Sequence, residues 1–263
     1  MRRRRISVFP FMIAIAVYLS LPAVYGQKTT TGPPQDLLNV LPSAVTPHAD
    51  ALGERVLRAG KERTALVGQL VDERGERVSM RVTLQLPRMV GLEGLRPNMP
   101  AIVSDGRSSV HSVSKTEGEL LEIFSSDTAE AMLAFVKEEA AIHVLGRRVK
   151  ASGQGTDSPL YDIYEVVAAV PSGATTLERL KRYSFDSGTG LLARTEYLDE
   201  TYSPPVAIEI RFSDWQRVED SAYPGRIDRL ENGHLIFSWI ATRIQALPRQ
   251  DPSNFGVAAE TGR

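Results

Sequence analysis

Cysteine is absent from this chain of 263 residues, so it forms no disulfide and carries no lipid anchor attached to a cysteine. Histidine is scarce, and no two of the four histidines have the spacing of metal ligands. The chain also lacks the Gly-x-Ser-x-Gly elbow of hydrolases and a phosphate-binding loop. We therefore expect a protein without enzymatic activity, metal or cofactor. We expect its histidines at the surface or in turns: His48, His111, His143 and His234.

The first 26 residues have the pattern of a secretory signal peptide. Arginines at positions 2–5 precede an apolar run over residues 6–21, and the pattern ends at Gly26, where we expect cleavage. The run is shorter than the roughly 20 residues of a transmembrane helix and is flanked or interrupted by Pro10 and Pro22. This pattern predicts general secretion to the periplasm or the medium, with no membrane span left after cleavage.

The mature chain, residues 27–263, is mildly acidic. Removing the four arginines of the signal peptide leaves 27 basic and 32 acidic residues, a formal net charge of −5. Such a balance gives no electrostatic reason to bind nucleic acid or anionic lipid. The length suits one large all-β or α+β domain, or two small ones, with a sizeable core.

Two stretches alternate apolar and polar residues without interruption, as strands with one buried face do. The first, residues 76–86, lies between the turn cluster at 72–75 and Pro87, and the second covers residues 206–213. The other strand segments are too closely spaced for βαβ crossovers, which predicts an antiparallel meander. The apolar positions of the two stretches are Val78, Met80, Val82, Leu84, Leu86, Val206, Ile208, Ile210 and Phe212.

Two helices are predicted beside these strands. Thr46 and Pro47 have the pattern of a helix start, and Gly60 is placed where that helix would stop. The spacing from Asp127 to Glu130 is that of a capping box and predicts a second helix that ends before or around residue 146. Together with the meander, these helices indicate an α+β domain.

The ends of the mature chain differ from its middle. Residues 27–46 contain several threonines and prolines without periodicity, which predicts a flexible linker. The Asn-Gly pair at 232–233 predicts a hairpin, and the long strand after it is apolar on both faces. Residues 248–263 are polar and predict a disordered C-terminal tail.

The order of these segments and several short motifs resemble the LolA/LolB-like family of periplasmic carriers, which sort outer-membrane lipoproteins. The resemblance covers residues 47–247 and implies an incomplete β-barrel of about 10–11 strands. It also implies helices that cover the concave face of the sheet. In the carriers an arginine before the proline latches the helical lid, whereas this chain has Leu86 at that position. The matching motifs are Leu84-Gln85-Leu86-Pro87, Ile102-Val103-Ser104-Asp105-Gly106, Tyr183-Ser184-Phe185-Asp186, Gly190-Leu191-Leu192 and Ser213-Asp214-Trp215.

The resemblance implies a non-enzymatic periplasmic protein that binds a lipid acyl chain or a lipoprotein. The nine apolar positions of the two alternating stretches would line its hydrophobic cavity, although such positions also commonly fill a closed core. The alternative function is an envelope sensor or scaffold of the same fold that contacts a protein partner. One compact basic cluster in the mature chain predicts a contact with a lipid headgroup or a partner, or serves solubility: Arg147, Arg148 and Lys150.

Overall fold

The computed structural model of the chain describes residues 43–53, 56, 62–85, 89–94, 102–104, 114–137, 142–150, 158–172 and 175–248. The predicted signal peptide, most of the predicted linker, Leu86 and residues 249–263 lie outside these ranges. Across the described ranges, no helix is both long and apolar enough to cross a membrane.

The described residues form thirteen strands: β1 (Glu62–Asp72), β2 (Arg77–Gln85), β3 (Met89–Gly94), β4 (Ile102–Ser104), β5 (Ile142–Lys150), β6 (Leu160–Ser172), β7 (Thr175–Asp186), β8 (Leu192–Asp199), β9 (Val206–Ser213), β10 (Gln216–Val218), β11 (Ser221–Tyr223), β12 (Arg226–Glu231) and β13 (His234–Pro248). Eleven strands make one antiparallel sheet in the order β4-β3-β2-β1-β13-β12-β9-β8-β7-β6-β5. The remaining two, β10 and β11, pair with each other.

The first and last strands of the domain meet inside the sheet, where β1 runs antiparallel to β13 with Leu66 opposite Ile244. Strands β4 and β5 occupy the two edges, and in the described part of the chain they do not pair with each other. The sheet is therefore open. This confirms the predicted antiparallel, unclosed sheet.

The alternating sequences explain which side of each strand is buried. On β2, Met80 and Val82 are buried while Arg77 and Arg81 are exposed, and β9 alternates in the same way. The predicted hairpin at 232–233 is present, with φ of 49° at Asn232 and 82° at Gly233, as a tight two-residue turn requires. The strand that follows it is buried mainly through Phe237 and Trp239.

Helix α1 (Thr46–Leu52) begins the described domain. Val45, rather than Thr46, occupies the N-cap position, and Pro47 lies in the first turn as predicted. The helix ends at Gly53, which has φ of 89° and bridges to Ser221. A Cβ atom at Gly53 would lie 1.9 Å from the carbonyl oxygen of Asp220, so this helix end requires glycine.

A second helical part, which we call the helical segment, spans residues 115–137. It contains α2 (Lys115–Glu122), a π-helical turn (Ile123–Asp127) and α3 (Ala129–Lys137). The predicted second helix is present as α3, which begins two residues after Asp127 and ends before residue 146. The hydroxyl of Thr128, not the carboxylate of Asp127, accepts the hydrogen bond from the start of α3, and residues 142–150 form strand β5.

Helix α2 was not predicted, although its start carries a local signal. Ser114 and Glu117 form a complete capping box, in which each side chain accepts a hydrogen bond from the backbone of the other residue. The Ser-x-x-Glu spacing at this point of the sequence could have located the helix.

Candidate functional site

The apolar positions predicted to line a cavity lie together in one buried cluster. Val82 and Ile210 are 0% exposed, and Met80, Leu84, Ile208 and Phe212 are also buried. Val78 and Val206 are half-buried at the margin of the same cluster. Leu86 lies outside the described residues. Whether any of these side chains contacts a ligand stays a prediction.

The helical segment fills the space beside this apolar face. Leu120, Ile123 and Met132 are 0% exposed and belong to the same cluster as the strand residues. Phe124 meets the ring of Trp239 edge to face, with 6.3 Å between ring centroids. A void of about 10 Å³ remains between Leu66, Leu84, Phe124 and Phe212 and their neighbours, which is room for about one water molecule. The core is therefore packed.

A cluster of charged side chains joins the helical segment to the other half of the sheet. Its centre is the pair formed by Asp127 of the π-helical turn and Lys181 of β7, both 0% exposed. The Lys181 ammonium also donates to the Ser126 hydroxyl at 2.9 Å. Nearby, Tyr183 donates to the Ser126 carbonyl at 3.0 Å, and Thr195 donates to the Asp127 carbonyl at 2.8 Å. The π-helical turn is thus held through both backbone and side chain.

Further ion pairs extend this cluster on both sides. Arg179 bridges Glu122 of the helical segment and Asp199 at the end of β8, at 2.5 and 3.3 Å. Arg229 on β12 lies 3.4 Å from Glu119 of α2. We refer to the whole group as the ion cluster, whose members are Lys115, Glu119, Glu122, Asp127, Arg179, Lys181, Asp199, Arg229 and Glu231.

Burial sets the electrostatics of the ion cluster. It raises the pKa of Asp127 against the attraction of Lys181, and it raises the pKa of Glu119 against the charges of Arg229 and Lys115. At Asp199 burial also acts to raise the pKa, but hydrogen bonds from Thr201 outweigh it and the pKa is lowered. The pKa of Arg229 is raised because the surrounding acidic groups outweigh its own burial.

Part of the ion cluster is buried without hydrogen bonds. Both carboxylate oxygens of Glu119, and the Nε and Nη1 atoms of Arg229, have no hydrogen-bond partner among the described residues. These atoms attract one another as charges but lack the geometry that normally compensates for lost hydration. Closure of the helical segment at this point is therefore held by charge attraction rather than by complete hydrogen bonding.

The ion cluster was not predicted, although its strand members follow the alternation of buried positions. On β7, Arg179 and Lys181 lie at alternate positions in step with the buried Tyr183 and Phe185, and so belong to the same face of the strand. On β12, Arg229 lies in step with the buried Ile227 in the same way. Charged residues at the apolar positions of a strand are rare unless paired. That signal could have marked these side chains as buried and partnered.

His48 anchors helix α1 in a second buried polar group. It is 2% exposed, so the expectation that it lies at the surface was wrong. Its Nδ1 lies 2.9 Å from the Gly190 carbonyl and its Nε2 lies 2.9 Å from the Tyr164 hydroxyl, which in turn is 2.8 Å from the Ala44 carbonyl. Its ring stacks on Phe185. Burial lowers the pKa of His48, while Gly190 and Asp162 oppose that shift.

A groove of about 920 Å³ opens at one end of β6–β9, next to the turn between β12 and β13. Arg179, Tyr197 and Asp199 line it, so the groove reaches the ion cluster. Leu180 and Leu198 also line it and are 47% and 49% exposed. Solvent, or a ligand with apolar and charged parts, can approach the ion cluster from this side.

The predicted basic cluster lies away from the ion cluster on the edge strand β5. The side chains of Arg147, Arg148 and Lys150 are all exposed. No group of His, Asp or Glu side chains in the described residues has an arrangement suited to a metal ion.

Comparisons with known proteins extend to structure but not to sequence. No family model matches the chain, and no curated protein matches it. The structure is similar to that of a LolA superfamily protein from Nitrosomonas europaea, with a TM-score of 0.53, 11% identity, and coverage of 82% of this chain and 97% of that one. It is also similar to a putative outer membrane lipoprotein-sorting protein domain from Vibrio parahaemolyticus, with a TM-score of 0.50, 8% identity, and coverage of 73% and 88%. The chain therefore has a LolA-like fold.

Proposed function

We propose that this protein is a periplasmic, non-enzymatic carrier that binds a lipid acyl chain or a lipoprotein, with the helical segment as a movable lid over the concave face of the sheet. The observation that carries the proposal is the ion cluster. The inner face of the sheet is apolar, yet its contact with the helical segment also includes buried charges. The similarity to a lipoprotein-sorting domain supports the class of cargo.

Cargo binding requires the lid to move, because the void between Leu66, Leu84 and Phe124 in the described core measures about 10 Å³. In the closed state Leu120, Phe124 and Met132 occupy the apolar space that an acyl chain would need. Replacing these side chains by an acyl chain exchanges one apolar contact for another, so the burial term of roughly 25 cal/mol per Å² changes little. The ion cluster then sets most of the cost of opening.

Charged side chains at the contact between lid and sheet suit a movable lid better than apolar side chains do. When the lid lifts, the members of the ion cluster gain hydration, which offsets much of the lost attraction. Exposed leucines would gain no such compensation. Arg179, Lys181 and Arg229 thus take the part that the arginine before the proline takes in the carriers, which explains how the chain functions with Leu86 at that position.

The test is to purify residues 27–263 from a periplasm, record native mass spectra, and extract bound material with solvent. We expect a lipid released on denaturation, or uptake of a fluorescent fatty acid by protein that is empty. Lys181→Met loosens the lid and should speed uptake, whereas Arg81→Met removes a charge from the exposed pair with Glu93 and should leave uptake unchanged. The carrier function would be ruled out if the purified protein contained no lipid and if neither wild type nor Lys181→Met took up the fatty acid.

The packed interior favours a second candidate, an envelope sensor or scaffold that acts through a protein partner. Such a protein has no need of an open cavity, and the void of about 10 Å³ agrees with that requirement. In that case Lys181→Met would lower stability without producing lipid uptake. Crosslinking in the intact envelope, followed by identification of the attached protein, would then be the next experiment.

A further inference from the structure

Strand β5 exposes both of its faces, unlike the other long strands of the sheet that the structure describes. Val144 is 47% exposed and Leu145 is 49% exposed, and six of the nine residues of β5 are exposed. The strand pairs with β6 on one side and forms an edge of the sheet on the other. Two adjacent apolar side chains at an open edge need an explanation beyond packing.

Two bulges shape this edge. In the first bulge, Leu145 has no opposite residue on β6, because Val144 and Gly146 pair with the consecutive residues Tyr164 and Ile163. In the second bulge, Arg147 and Arg148 lie opposite the single residue Asp162. Within the second bulge Arg148 has φ of 52°, and its backbone N–H donates to Asp162 at 2.8 Å. Bulges re-aim side chains and interrupt the edge for further strands. The residues that they displace here are Leu145, Arg147 and Arg148.

The charge on this edge is positive. Arg147, Arg148 and Lys150 lie within four residues, and β5 contains no acidic residue. Asp162 of β6, which accepts from the Arg148 backbone and Ser187, brings one negative charge against three basic side chains, and Glu165 lies 3.7 Å from Arg182. The edge therefore carries a local positive charge on a mature chain whose net charge is −5.

We propose that this surface, made of Val144, Leu145, Arg147, Arg148 and Lys150, docks the protein on an anionic lipid bilayer. The basic side chains face lipid phosphates, to which arginine binds with two parallel hydrogen bonds. Val144 and Leu145 enter the interface between headgroups and acyl chains. Charge complementarity and the exposed apolar pair together select a bilayer.

A protein partner fits this edge less well. An added strand needs a regular row of backbone groups, and the two bulges and the left-handed Arg148 interrupt that row. A bilayer makes no demand on backbone register. The proposal is independent of cargo binding, because the docking surface shares no residue with the ion cluster or with the apolar positions predicted to line the cavity.

The experiment measures sedimentation of the mature protein with vesicles of equal parts phosphatidylethanolamine and phosphatidylglycerol, and with phosphatidylcholine vesicles. We expect binding to the first that weakens with salt, and little binding to the second. The double variant R147E/R148E should bind the anionic vesicles at least about tenfold more weakly. The double variant V144S/L145S should reduce binding at all salt concentrations.

The matched control is R74E/R77E, which makes the same change of charge at exposed positions by the turn between β1 and β2. It should retain binding within about twofold. Circular dichroism and thermal melting verify that each variant is folded, and fatty-acid uptake tests cargo binding separately. The proposal is overturned if wild type ignores anionic vesicles, if the control loses as much binding as R147E/R148E, or if an acidic protein partner is captured through this edge while vesicles are not bound.

Discussion

The ion cluster and the His48 group each hold a helical part of the chain against the same sheet, but with opposite kinds of chemistry. At the ion cluster, the closed helical segment depends on pairs such as Asp127–Lys181 and Arg229–Glu119, with several atoms lacking hydrogen bonds. At His48, a buried ring with a lowered pKa has a hydrogen-bond partner at each nitrogen and an aromatic ring beneath it. One anchor is charged and incompletely hydrogen-bonded, and the other has a lowered pKa and a polar partner near each ring nitrogen.

In the proposed carrier, this difference distinguishes the helical segment, which would move, from α1, which would stay on the sheet. A neutral, hydrogen-bonded and stacked anchor gains little from water, so α1 has no reason to leave the sheet. A cluster of buried charges gains hydration on exposure, which lowers the free-energy cost of lifting the helical segment. The comparison therefore favours the helical segment over α1 as the lid of the proposed carrier.

The largest effect is expected from breaking the centre of the ion cluster. Lys181→Met leaves the Asp127 carboxylate buried without its cation, which should lower the free energy of unfolding by about 3–5 kcal/mol. Urea titration measures the loss, and hydrogen exchange should rise in residues 115–137 before it rises in α1. Arg81→Met at the exposed pair with Glu93 is the control and should cost at most about 1 kcal/mol. Equal losses in the two variants would contradict a special role for Lys181.

A second variant tests whether charge itself is needed for stability. Lys181→Met combined with Asp127→Leu removes both charges and replaces them by apolar groups of similar size. We expect it to recover most of the about 3–5 kcal/mol lost in Lys181→Met, because replacement of a buried pair by apolar groups is often neutral or stabilising. Lipid uptake should then be slower than in wild type, since the lid has lost the groups that gain hydration on opening. Recovered stability with unchanged uptake would separate the ion cluster from lid movement.

Local patterns predicted the sheet better than they predicted the polar anchors. The alternation on β2 and β9 and the turn at 232–233 depend on neighbours in sequence, and these predictions were confirmed. The start of the second helix was wrong because the Asp127 carboxylate goes to Lys181, 54 residues away, rather than to its own helix. Strand β5 was missed because its two bulges and its exposure on both faces erase the period of two.

His48 illustrates the same limit at longer range. Its contacts with Tyr164 and Gly190 span 116 and 142 residues, and nothing in the sequence around Pro47 indicates them. A lone histidine in a short helix near the start of a domain looks like a surface residue. Only the pairing of β6, β7 and β8 brings Tyr164, Phe185 and Gly190 to one place beneath α1.

The smallest expected effect is a pH dependence of stability that comes from His48. Nδ1 of His48 faces a carbonyl oxygen and carries the hydrogen of the neutral ring, and the single hydrogen of the Tyr164 hydroxyl serves either Nε2 or the Ala44 carbonyl. Burial lowers the pKa of His48 below its ordinary value of 6.5. The unfolded chain therefore binds a proton at His48 more readily than the folded chain does. The stability that depends on the neutral ring is complete above pH 6.5 and is lost as the pH falls below it.

Stability should therefore decline more on acidification below pH 6.5 in wild type than in His48→Asn, which keeps a donor for the Gly190 carbonyl but does not titrate. Urea titrations of the two proteins at a series of pH values give this difference directly. At the ion cluster the raised pKa values of Asp127 and Glu119 act with the opposite sign, because the folded chain binds protons there more readily than the unfolded one. The subtraction of His48→Asn from wild type removes that contribution, since both proteins share it. If the two curves run parallel below pH 6.5, His48 is not a neutral anchor and the contrast with the ion cluster does not hold.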